Sequence, residues 1–105
     1  MIEYVSVEQL KEILEKKLDF NIIDVRELSE YQTARILNSI LVPLSNFEND
    51  INNINKNKTN YFLCGVGRRA LKAAEYLESI GYENLYVIDG GIKAWIEAGY
   101  LVERG

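Results

Sequence analysis

The run Tyr61-Phe62-Leu63-Cys64-Gly65-Val66-Gly67-Arg68-Arg69-Ala70 joins two different periodicities within ten residues. Tyr61 to Cys64 is a short apolar segment of strand length. Beyond Gly67, Ala70, Ala73, Ala74 and Leu77 recur at i, i+3, i+4 and i+7, the spacing of one helix face. The stretch therefore predicts a strand, a glycine-bearing turn and a helix, with Gly81 as its C-terminal cap. Cys64 falls at the carboxyl end of the strand, the edge at which open parallel sheets place their ligands.

The same alternation continues outward in both directions. Downstream, Leu85 to Ile88 reads as a strand and Asp89-Gly90-Gly91 as a tight turn. Ile92, Trp95 and Ile96 form the stripe of a closing helix ended by Gly99. Trp95 is assigned to core packing and Gly90 and Gly91 to the turn. Upstream, Ser6-Val7-Glu8-Gln9 has the form of a capping box, with Val5 and Leu10 as a hydrophobic staple, and predicts a helix over about Val7 to Lys17. Phe20 to Val25 reads as a strand meeting the charged cluster Asp24, Arg26 and Glu27, and Leu28 to Thr33 as a short helix. Ser39 to Val42 reads as a second buried strand, stopped by Pro43. The Asn/Lys-rich stretch from Ser45 to Asn60 predicts a short, partly exposed helix and a surface loop. Strands and helices in alternation imply parallel pairing through helical crossovers. The expectation is one three-layer α/β domain over residues 1–105, with a central, mostly parallel sheet and helices on both faces.

Composition narrows the function classes. The 105 residues are 48% hydrophobic, enough for one core and too few for two domains. Twelve basic and 16 acidic residues give a net charge of −4, which argues against a cationic surface for nucleic acid. The absence of histidine excludes a His-ligated metal site. A single cysteine makes neither an internal disulfide nor a thiolate zinc cluster, so Cys64 is either a packed core residue or a reactive one. The N-terminus has no basic segment followed by an apolar run, and no stretch nears the roughly 18 apolar residues of a membrane span. A cytoplasmic monomer without membrane contact is expected.

Context favours reactivity. In Cys64-Gly65-Val66-Gly67-Arg68-Arg69, the glycines let the backbone wrap closely and turn successive N–H groups toward the sulfur. From Cys64 to Lys72 there are three cations, Arg68, Arg69 and Lys72, and no carboxylate, a field that favours thiolate. Cys64 is the candidate nucleophile. Gly65, Val66, Gly67, Arg68 and Arg69 form the candidate anion cradle, with Arg69 as the anion clamp and Arg68 steering substrate. Asp24 and Arg26, two apart at a strand end, are read as a pair that fixes neighbouring loops rather than as catalytic groups.

In order and spacing these motifs resemble those of the rhodanese-like domain family over essentially the whole chain. Asp24-Val25-Arg26-Glu27 with Glu30-Tyr31 is similar to the family's D-V-R-E…E-[FY] segment, and Val42-Pro43-Leu44 to its I-P-L. Cys64-x-x-Gly67-x-Arg69 is similar to its active-site loop, and Asp89-Gly90-Gly91…Trp95…Gly99 to its closing signature. The resemblance implies a parallel sheet flanked by helices and a cysteine that carries sulfane sulfur as a persulfide. It also implies a small anionic donor such as thiosulfate and a thiophilic acceptor, cyanide or a thiol. A protein donor or acceptor is compatible with the same chemistry. No metal and no organic cofactor are required.

Three departures stand out. Ala34-Arg35-Ile36-Leu37-Asn38-Ser39 replaces the family's G-H-I-x-G-A, and Arg35 is read as solvated. Ala70 stands where a loop hydroxyl is usual. Arg69 follows Cys64 after four residues, whereas a phosphatase or arsenate reductase loop would place arginine after five, at Ala70. Three readings remain at this level: a sulfurtransferase, a non-enzymatic sulfur carrier or docking module of the same fold, and, least favoured by loop length, a cysteine-dependent phosphatase or arsenate reductase.

Overall fold

The computed structural model describes residues 1–105. Five parallel strands, β1 (Ile2–Val5), β2 (Phe20–Asp24), β3 (Ile40–Leu41), β4 (Thr59–Leu63) and β5 (Leu85–Ile88), lie in the order β1-β5-β4-β2-β3. The helices are α1 (Val7–Glu15), α2 (Leu28–Thr33), α3 (Phe47–Asp50), α4 (Arg68–Ser79) and α5 (Gly91–Glu97), and 3-10 turns flank α3. Alternate residues of the central strands enter opposite faces. Phe62 and Cys64 pack with Phe47, Ala70, Ala73, Ala74 and Leu77 from α3 and α4. Tyr61 and Leu63 pack with Val7, Leu10, Ile92 and Trp95 from α1 and α5. The result is the three-layer α/β arrangement expected from the alternation, with both faces of a parallel sheet covered.

Local sequence explains most boundaries. Ser6 Oγ accepts from the Gln9 N–H at 3.0 Å, and Gln9 Oε1 accepts from the Ser6 N–H at 2.8 Å, which closes the capping box of α1. That helix ends at Glu15 rather than near Lys17, because Lys17 turns into the left-handed region at φ +54°. Gly81 (φ +97°) and Gly99 (φ +83°) lie just past α4 and α5, as glycines that end helices do. The strand expected over Ser39–Val42 narrows to Ile40–Leu41, and Cys64 stands just beyond β4 rather than within it. Trp95 is buried, with its indole N–H donating to the Leu101 carbonyl at 2.9 Å, whereas Ile96 of the expected stripe is 39% exposed.

One strand had no counterpart in the sequence reading. β1 pairs with β5 from Ile2↔Leu85 to Val5↔Ile88 at the sheet edge, and two of its four residues, Glu3 and Tyr4, are exposed. The reading of Arg35 as solvated is also corrected. Its backbone forms an antiparallel bridge with Glu103, its Nε lies 3.4 Å from the Glu103 carboxylate, and its guanidinium stands over the Tyr31 ring.

The direction in which strands are added reverses between β2 and β4. From β2 the chain crosses through α2 to β3, and from β4 it crosses through α4 to β5, in the opposite direction. Their carboxyl ends lie side by side, with Asp24 in register with Leu63. This is the switch point at which doubly wound sheets bind ligands.

Candidate active site

Cys64 sits at this switch point, 1% exposed, and its Sγ accepts a hydrogen bond from the Gly67 N–H at 2.9 Å. Gly67 has φ +117°, a conformation that brings its N–H back over the sulfur and that a side chain would resist. The N–H groups of Gly65, Val66, Arg68, Arg69 and Ala70 donate to no other group of the protein. Arg68 and Arg69 open α4, a helix of 12 residues, so the partial positive charge of its N-terminus adds to the loop. The arrangement is a backbone cradle suited to a small anion on or beside the sulfur.

The start of α5 holds the cradle open from behind. The Ile92 N–H donates to the Cys64 carbonyl at 2.9 Å, and the Lys93 N–H donates to the Gly65 carbonyl at 3.2 Å. In a trans peptide the carbonyl and the following N–H point opposite ways, so pinning these two carbonyls turns the Gly65 and Val66 N–H groups away from α5. Gly91 makes the approach feasible. At φ +61° it lies so close that a Cβ would stand 2.5 Å from the Gly65 carbonyl oxygen. The sequence reading gave Gly91 only a turn. Its second role is to admit the loop, and the partner segment lies too far along the chain for spacing to reveal it.

Asp24 and Arg26 form a buried pair beneath the loops. Arg26 Nη2 and Nε reach Asp24 Oδ2 and Oδ1 at 2.8 and 3.0 Å, and the Arg26 N–H also donates to Oδ1 at 3.0 Å. The guanidinium donates further to the carbonyls of Ala34 at 2.6 Å and Glu30 at 3.2 Å, which ties down the C-terminal half of the α2 segment. The hydrogen bonds of both side chains thus go to each other and to the backbone of Arg26, Glu30 and Ala34.

The two loop arginines differ. Arg69 forms a fork to Glu30 of α2, Nη1 to Oε1 at 2.7 Å and Nη2 to Oε2 at 3.0 Å, and its guanidinium lies against Gly65. The hydrogen bond from Arg69 holds the Glu30 carboxyl at about 2, below its ordinary 4.5, and the same bond raises Arg69. Arg68 is exposed and makes no ion pair, as does Lys72 one turn further on. The expected row of uncompensated cations is thus corrected at Arg69, whose charge is matched by Glu30. In the sequence Glu30 stands out only as part of the Asp24–Tyr31 motif. Its distance of 39 residues from Arg69 hides the contact from any local reading. Val66, at the tip of the loop, is 57% exposed and forms part of its outer rim.

Comparison with known proteins places this geometry in context. The thiosulfate sulfurtransferase GlpE of Pseudoalteromonas translucida is 32% identical, over 93% of this chain and 91% of that protein. YrkF of Bacillus subtilis, provisionally named a sulfur carrier protein, is 32% identical over 90% of this chain, which spans about half (51%) of it. The chain covers 23% of the adenylyltransferase and sulfurtransferase MOCS3 of Arabidopsis thaliana, at 29% identity. Among solved structures, a rhodanese-related protein from Thermoplasma volcanium superposes with a TM-score of 0.88 at 30% identity, over 98% of this chain and 99% of that one. A rhodanese-like domain protein from Staphylococcus aureus gives 0.85 at 31%, over 98% of each chain. With the model of the rhodanese-like domain matching residues 6–98, the chain belongs to the rhodanese-like domain family.

Proposed function

We propose that the protein is a sulfurtransferase in which Cys64 carries sulfane sulfur as a persulfide. The observation that carries the reading is the 2.9 Å hydrogen bond from the Gly67 N–H to Cys64 Sγ, inside a loop whose neighbouring N–H groups are unpaired. In the first step the Cys64 thiolate attacks the outer sulfur of thiosulfate. A new S–S bond forms, the bond to the sulfonate sulfur breaks, and sulfite leaves with that electron pair. The terminal sulfur of the persulfide then bears the negative charge, which the N–H groups of Gly65 to Arg69 stabilise. In the second step a thiophile such as cyanide attacks the terminal sulfur, and Cys64 departs as thiolate. Sulfur is held covalently throughout, so these steps draw on no metal and no organic cofactor.

The loop geometry supports sulfur chemistry over oxyanion hydrolysis. Five backbone N–H groups, from Gly65 to Arg69, serve one compact anion, and Ala70 stands where a wider loop would present arginine. A second reading, a carrier loaded by a protein donor, is supported by the similarity to YrkF. Thiocyanate formation from thiosulfate and cyanide tests the proposal. Turnover that disappears in a folded Cys64→Ser variant supports it, and turnover that persists in that variant overturns it. A reactive thiol with no thiosulfate turnover favours the carrier.

A further inference from the structure

Arg68 and Arg69 are adjacent in sequence and opposite in circumstance. Arg69 spends the end of its fork on both oxygens of Glu30, a bidentate geometry that favours arginine over lysine. Glu30 is itself fixed, because its Oε1 also accepts from the Glu27 N–H at 3.0 Å. The pair therefore presents no net charge to the mouth of the cradle. Arg68 is exposed and unpaired at the first residue of α4. Lys72 shares its helix face but lies one turn, about 5.4 Å, further away.

We propose that Glu30 is a specificity-determining residue of the sulfur-transfer site: by matching the charge of Arg69, it leaves Arg68 as the one loop cation that selects an anionic donor. The proposal deepens the reading of Cys64 as a reactive thiol and rests on it. It defines the donor class as one with a single compact anionic group beside its transferable sulfur. A tetrahedral oxyanion that needs an arginine fork finds the Arg69 fork already taken. Glu30 acts through Arg69 and touches no reacting atom, so it is a positioning residue.

The test reads the field at Cys64 without assuming any donor. Cys64 is alkylated with iodoacetate, which is anionic, and with iodoacetamide, which is neutral, and the ratio of the two rates is compared among variants whose folding is checked by thermal melting. Arg68→Gln lowers the ratio about threefold or more, and Glu30→Gln, which frees the Arg69 charge, raises it by a similar factor. The double variant Glu30→Gln, Arg69→Gln removes a neutral pair and stays within about 1.5-fold of the parent. The changes shrink in 1 M salt, where the Debye length is about 3 Å. A ratio unmoved by Glu30→Gln overturns the proposal, as does a double variant that falls as far as Arg68→Gln. Should the double variant fail to fold, the Glu30→Gln result decides alone. If neither reagent reacts with Cys64 in any variant, the reading of a reactive thiol fails and the proposal falls with it, an outcome distinct from a wrong pattern of ratios.

Discussion

At Gly91 a positive φ and a close approach coincide, since the residue turns at +61° directly against the carbonyls of Cys64 and Gly65. A methyl group there would collide with the loop and would also strain the backbone, so Gly91→Ala should cost about 3 kcal/mol or more. Denaturant unfolding measures that cost, and slower alkylation of Cys64 would register the displaced cradle. A variant as stable as the parent would contradict the packing described. The buried pair at the end of β2 gives a second prediction. Asp24→Ala leaves the Arg26 guanidinium, 4% exposed, without its carboxylate, a change that should cost about 3–5 kcal/mol in the same measurement. A loss below about 1 kcal/mol would show that the carbonyls of Ala34 and Glu30 satisfy Arg26 on their own. At this scale the sequence was legible where chemistry is local. Cys64, its glycines and its two arginines are consecutive, so their spacing speaks directly. The partners of Arg69 and of the loop carbonyls come from α2 and α5, and only folding brings them into reach.

The elements connect through a few polar contacts. The short helix α2 is held at the site by Glu30, which joins the Glu27 N–H at its own start to Arg69 on α4. This contact has a pH signature. The folded-state value for Glu30, about 2, lies below its ordinary 4.5, so the pair stabilises the fold fully above pH 4.5 and loses that contribution as pH falls toward 2. Because both side chains are more than a third exposed, solvent screening keeps the contribution modest. Stability of Glu30→Gln measured against pH should lack this part of the acid-side slope, and an unchanged slope would contradict the assignment. Elements with strong periodicity or caps were legible before folding: α4 from its i, i+3, i+4, i+7 stripe, α1 from Ser6 and Gln9. β1 was not. It has four residues, two of them solvent-exposed Glu3 and Tyr4, and it becomes a strand because β5 offers an edge.

Over the whole molecule, function follows from the order in which strands are laid down. Because β2 and β4 are neighbours whose outgoing helices lead in opposite directions, the sheet has a switch point there, and Cys64 and the Asp24–Arg26 pair both arrive at it. Alternating strand and helix signals made the parallel sheet legible, but the neighbour relation of β2 and β4 depends on long-range pairing that no local pattern encodes. The acidic balance of the molecule, −4, sets off the small positive region at Arg68 and Lys72. Intact-protein mass after incubation with thiosulfate, and again after cyanide, reads the central claim directly. Sulfur transfer through Cys64 requires a gain of one sulfur atom that cyanide removes and that Cys64→Ser never acquires. A sulfur gain of equal size in the folded Cys64→Ser variant would contradict it.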